Sequence, residues 1–107
     1  MIDKLRRDIY VYQGTNCDFT FDINVLGERY SLEQEDKLIL TVLDYRDNNS
    51  VVITKEVTGS NSIAFVPSDY EDLDIGYYTY NVKLTQNATG FIYEVVSPST
   101  FWIKAGE

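Results

Sequence analysis

The chain has no histidine, a single cysteine and only two prolines in 107 residues. Without histidine, the commonest general base at neutral pH and the commonest metal ligand are both missing. The lone Cys17 excludes an internal disulfide and any cysteine-based zinc site. Ser, Thr and Cys17 remain as nucleophiles, but no imidazole stands by to activate them, so no enzymatic activity and no cofactor are expected. Basic residues are scarce as well. Nine Lys and Arg stand against seventeen Asp and Glu, a net charge of −8. Phosphate binding needs clustered Lys and Arg, so nucleic acid is not an expected partner. No run approaches the ~20 apolar residues of a membrane helix, and no membrane partner is expected either. The opening segment, Met1 to Asp8, carries charges with no apolar run behind it, unlike a secretory signal. The expectation is a chain made in the cytoplasm that stays there unless it leaves within an assembly. Asn87-Ala88-Thr89 matches a glycosylation sequon and reads as a chance match in a turn.

What the chain does have is aromatic and apolar content: 44% hydrophobic residues, with nine Tyr, five Phe and one Trp. That is enough for one core, and residues 1–107 read as a single domain. The periodicity is two almost everywhere. Asp8 to Tyr12 reads as a short first strand. Cys17, Phe19, Phe21 and Ile23 alternate with Asp18, Thr20 and Asp22. Lys37 to Tyr45 puts Leu38, Leu40 and Val42 on one face and Ile39, Thr41 and Leu43 on the other. Val51 to Val57 reads as its hairpin partner, and Ser62 to Val66 as a further short strand ended by Pro67. Pro67 to Leu73 carries acids in what would be a first helical turn, and one short turn of helix is expected there. Tyr77 to Gln86 alternates cleanly, turns at Asn87 to Gly90, and is answered by Phe91 to Val96. Ser97-Pro98-Ser99 breaks that run, and Thr100 to Lys104 forms the last strand. The pattern predicts an all-β antiparallel sandwich of about seven strands. Its expected core is Phe19, Phe21, Ile23, Leu38, Leu40, Val42, Ile53, Phe65, Tyr78, Tyr80, Val82, Leu84, Phe101 and Ile103.

Asp74-Ile75-Gly76-Tyr77-Tyr78-Thr79-Tyr80 has the D-x-G/A-x-Y-x-C spacing that opens strand F of immunoglobulin domains, with Tyr80 where the Cys would stand. The resemblance implies a tyrosine corner, in which the Tyr78 hydroxyl bonds backbone a few residues upstream and pins the loop. It also implies that Tyr80 fills the volume of the absent disulfide. With Gly27 to Leu32, Asp36 to Val42, Leu73 to Leu84 and Ser99 to Ile103, the chain resembles small immunoglobulin-like domains of Gram-positive prophages, such as the N-terminal domains of baseplate upper proteins. Members of that family often carry an Asp-Gly hairpin tip, whereas this chain has Asn-Ala-Thr-Gly. The resemblance implies a non-enzymatic structural module of a phage tail or baseplate, associated with the virion. Its partners would be other phage structural proteins or copies of itself.

Each candidate site has a plainer reading beside it. Asp69, Glu71, Asp72 and Asp74 offer clustered oxygens, but without the ligand spacing and turn glycine of a calcium loop they read as a solvated corner. Glu33, Glu35 and Asp36 read the same way. Cys17 reads as a small buried hydrophobe. If Phe101 and Ile103 point inward, Trp102 points outward, as does Tyr77 and one of Tyr93 or Glu94. Trp102, Tyr77, Tyr93, Ile39 and Leu43 are therefore the candidate interface. Such aromatics tile a sheet as cross-strand pairs, anchor a protein contact, or stack on sugar rings. A carbohydrate-binding or adhesion module is the alternative function. Lys4, Arg6 and Arg7 offer a basic head that either frays or docks on a neighbouring acidic copy. A DNA-mimicking inhibitor would suit the charge but not its scattered spacing.

Overall fold

Alternating apolar and polar positions become strands because each strand then presents one dry face to the core. The computed structural model describes residues 8–106, the Ser97 side chain excepted, and contains no α-helix among them. The strands are β1 (Ile9–Tyr12), β2 (Cys17–Thr20), β3 (Asn24–Val25), β4 (Glu28–Arg29), β5 (Lys37–Asp44), β6 (Ser50–Thr58), β7 (Ser62–Phe65), β8 (Gly76–Thr85) and β9 (Ile92–Lys104). Short 3₁₀ turns occupy Tyr45–Asp47 and Pro67–Asp69, the latter within the stretch expected to make one helical turn.

The main sheet is five-stranded, in the order β1-β9-β8-β5-β6, and β2-β7 and β3-β4 form two separate pairs. The fold is all-β, but the expectation of a purely antiparallel arrangement is corrected. β1 runs parallel to β9, with Ile9 opposite Phe101 and Tyr12 opposite Lys104. Parallel neighbours need a long connection, and here it is almost the whole chain, so no local turn pattern announces the pair. A second correction concerns Ser97-Pro98-Ser99, which does not end a strand. β9 continues through it for 13 residues. The register against β8 slips between Tyr80 and Val82, so Pro98 falls in a bulge where no ladder donor is required of it. The hairpin β3–β4 was not expected as paired strands. It turns through Leu26 and Gly27, both at positive φ (53° and 83°), and a leucine gives no signal for that conformation.

Every residue of the expected core is buried, and Ile9, Val11, Ile63, Tyr70 and Val96 join it. The inner face of the main sheet meets the β2–β7 pair through rings. Phe65 lies 5.5 Å from Phe101 and 5.8 Å from Phe19, and Tyr80 meets Phe101 edge-on at 6.2 Å. Each such side chain, removed from water, contributes roughly 1.5–3 kcal/mol before its ordering entropy is counted. Tyr70 sits beneath the acidic corner, whose Glu71, Asp72 and Asp74 are exposed as expected. Its ring is fully buried, and its hydroxyl donates to the Thr15 carbonyl, tying the corner to the β1–β2 turn. Cys17 packs against the core but is only partly buried, and that burial pushes its thiol pKa up.

Candidate protein-interaction surface

The two-residue period that buries Ile9, Val11, Phe101 and Ile103 necessarily turns Tyr10, Tyr12, Trp102 and Lys104 outward. On the next strand Tyr77 sits opposite Trp102. These five side chains form a continuous cluster across β1, β9 and β8. Tyr77 stacks on Trp102 with centroids 4.8 Å apart and planes inclined by 27°. Lys104 Nζ lies 3.9 Å from the Trp102 centroid, 4.5 Å from that of Tyr10 and 5.8 Å from that of Tyr12. Tyr10 meets Tyr12 edge-on at 6.3 Å. The indole is thus flanked by a phenol from the β8 side and an ammonium from the β1 side. Each cation–ring contact is worth about 0.5–1 kcal/mol where water still reaches it. The cluster remains open to solvent, with Tyr77 51% and Tyr12 41% exposed.

The expected interface residues do not all gather there. Trp102 and Tyr77 form its centre. Leu43 is half-buried opposite Thr79, two residues along β8 from Tyr77, and flanks the cluster. Ile39 shares the outer face but stands at the far end, between Lys83 and Glu56. Tyr93 is placed differently from the expectation. It pairs with Leu84 and packs against the core, while Glu94 takes the outward position opposite Lys83. Tyr10, Tyr12 and Lys104 were missed as site residues. Their alternation was visible, but only the parallel β1–β9 pairing brings them to Trp102.

The residues expected to be structural, Asp74, Gly76, Tyr78 and Tyr80, lie at the start of β8 and just before it. The Tyr78 hydroxyl donates to the Asp74 carbonyl at 2.7 Å, and Tyr80 is fully buried. Gly76 adopts a φ of 148°, and a Cβ there would lie 3.4 Å from Arg46 Nη1. Arg46 was not singled out in the sequence. Its guanidinium lies 5.0 Å from the Tyr78 ring centroid, and Asp44 holds it there through a 3.1 Å bond from Nε.

The acidic clusters resolve unevenly. Asp69 pairs with Lys55 at 2.8 Å and accepts the Val66 amide. Asp36 is not solvated. It is 1% exposed and accepts the Tyr30 hydroxyl at 2.5 Å and the Glu33 and Asn87 amides, each at 2.9 Å. Burial works to raise its carboxyl pKa, but the Tyr30 bond and the two amides outweigh it and hold the group below its ordinary range. The same Tyr30–Asp36 bond, with burial, pushes the phenol upward. A depression of about 360 Å³, lined in part by Asp22, Arg29, Tyr30 and Asn61, opens beside the β3–β4 hairpin. Among the described residues no group of three or more carboxylate or cysteine side chains is arranged to hold a metal, and no helix is long and apolar enough to cross a membrane. Lys4, Arg6 and Arg7 lie outside the described residues. Comparison with protein-family models, with curated proteins and with solved structures gives no match for this chain.

Proposed function

We propose that the chain is an immunoglobulin-like β-sandwich serving as a non-enzymatic assembly module of a phage or prophage particle, at its tail or baseplate. The observation that carries the assembly reading is the open aromatic cluster of Tyr10, Tyr12, Tyr77 and Trp102 around Lys104. Aromatic residues are enriched where one protein packs on another. The particle setting rests on the sequence resemblance. Two features support the immunoglobulin-like reading. The β2–β7 pair faces the main sheet across an aromatic core, and the Tyr78–Asp74 bond has the form of a tyrosine corner.

The cluster geometry favours packing over sugar binding. A stacking platform needs a free ring face, and Trp102 has Tyr77 on one side and Lys104 on the other. The test is mass spectrometry of phage particles induced and purified from the source strain. The expected result is this chain at stoichiometric abundance. Its absence from intact particles, with wall-sugar binding lost on Trp102→Ala, would replace this reading with the carbohydrate-binding one.

A further inference from the structure

Resting on the assembly reading, we infer that the partner of the Lys104 cluster is a second copy of this chain. Its acidic corner, Glu71, Asp72 and Asp74, docks on the cluster across a twofold axis. Lys104 is the cluster's one charge. Its ammonium lies over three rings, yet among the described residues no carboxylate comes within ion-pair distance of it. Rings that exclude water from one side of a cation raise the value of an anion arriving on the other. The neighbouring outward positions Thr79 and Leu43 add no acid, and Asp8, two residues before Tyr10, accepts the Thr100 amide and forms no ion pair with Lys104.

The complementary group is equally unspent. Glu71, Asp72 and Asp74 are exposed, and among the described residues none forms an ion pair, in contrast to Asp69. The two surfaces are also adjacent. Asp74 stands three residues before Tyr77, and Gly76 pairs with Ile103, next to Lys104. An isologous contact needs both halves on one face of the molecule, so that each meets the other across the axis, and this adjacency meets that condition.

Sedimentation velocity of the full chain over a concentration series tests the inference. The expected result is a concentration-dependent dimer. Lys104→Glu should weaken it at least about tenfold, because the twofold axis counts the change twice. The double variant Glu71→Lys, Asp72→Lys should weaken it similarly. Mixing the two variants should restore a heterodimer, since both contacts then pair opposite charges again. That rescue needs both chains folded, so it separates a lost contact from a lost fold. A wild-type chain that stays monomeric at every concentration, a dimer indifferent to both variants, or a mixture without rescue would overturn the inference. A monomeric chain that is nevertheless abundant in purified particles would overturn it while leaving the assembly reading intact. Rescue by the charge swap with the chain absent from particles would overturn the particle setting and uphold the twofold contact.

Discussion

Replacing Asp36 with Asn should destabilise the fold far more than a change of one atom suggests. The carboxylate accepts from Tyr30 and Glu33 at one oxygen and from Asn87 at the other, and it is 1% exposed. An amide offers one acceptor oxygen. If that oxygen faces Tyr30 and Glu33, the new NH₂ group confronts the Asn87 amide, donor against donor. If it faces Asn87, the NH₂ group confronts the Glu33 amide, which loses its acceptor, and the Tyr30 hydroxyl must turn round to accept where it had donated to a charge. A hydrogen bond to a charged group is worth about 1.5–3 kcal/mol, and a buried donor left unpaired costs about 1–3 kcal/mol. The expected loss is therefore roughly 3 kcal/mol, a large share of the 5–15 kcal/mol typical of a domain. Urea unfolding should show a lower midpoint with an unchanged slope.

The pH dependence adds a second signature. The folded carboxyl titrates below the value of about 3.9 expected in the unfolded chain, so near that pH the folded state binds fewer protons than the unfolded one. Its contribution is complete above about pH 4 and is lost as pH falls through the folded value. The stability gap between wild type and Asp36→Asn should therefore narrow on acidification within that window. A variant within about 0.5 kcal/mol of wild type at pH 7, or a gap that stays constant down to pH 2, would refute the reasoning.

Other substitutions probe the loops. Tyr78→Phe removes the hydroxyl donated to Asp74 but keeps the ring beneath Arg46, and should cost about 1 kcal/mol in urea unfolding. No measurable cost would mean that this bond does not hold the corner. Gly59→Ala places a Cβ 2.6 Å from the Gln34 carbonyl oxygen at a φ of +67°. It should cost at least about 2 kcal/mol. Gly27→Ala, at a similar φ of +83° but with open space around it, should cost only about 1 kcal/mol. Equal losses at the two glycines would show that the contact with Gln34 is irrelevant.

The core was legible in the sequence because burial on a sheet is a local property. Phe19, Leu40, Val82 and Phe101 declare their face by alternation, whatever strand lies beside them. What alternation does not encode is which strand lies beside which. Tyr10 and Trp102 are 92 positions apart, and each reads as an ordinary outward aromatic until β1 is laid parallel to β9. The candidate surface was therefore only partly legible, with its indole and one phenol found and two phenols and its lysine missed. Asp36 was misread, and Tyr70 left out of the expected core, for a related reason. Both sit in polar, turn-rich sequence where solvent is the ordinary expectation. Their burial depends on partners such as Asn87 and Thr15, supplied from distant turns. Tyr93 went astray although alternation counted back from Ile103 and Phe101 turns it inward: one register slip on each side of Val82 first breaks that parity, at Val96, and then restores it at Tyr93.

The parallel seam between the first and last strands also sets how the molecule bears load. Tension applied at residues 8 and 106 pulls β1 backward and β9 forward along their common axis, so the seam is sheared lengthwise. The hydrogen bonds from Ile9 to Tyr12 and from Phe101 to Lys104 would then share the force together and not open one after another. A chain fixed at both ends in a larger structure would meet its greatest mechanical resistance in that four-residue clasp, and Lys104 among its rings stands over the line of slip.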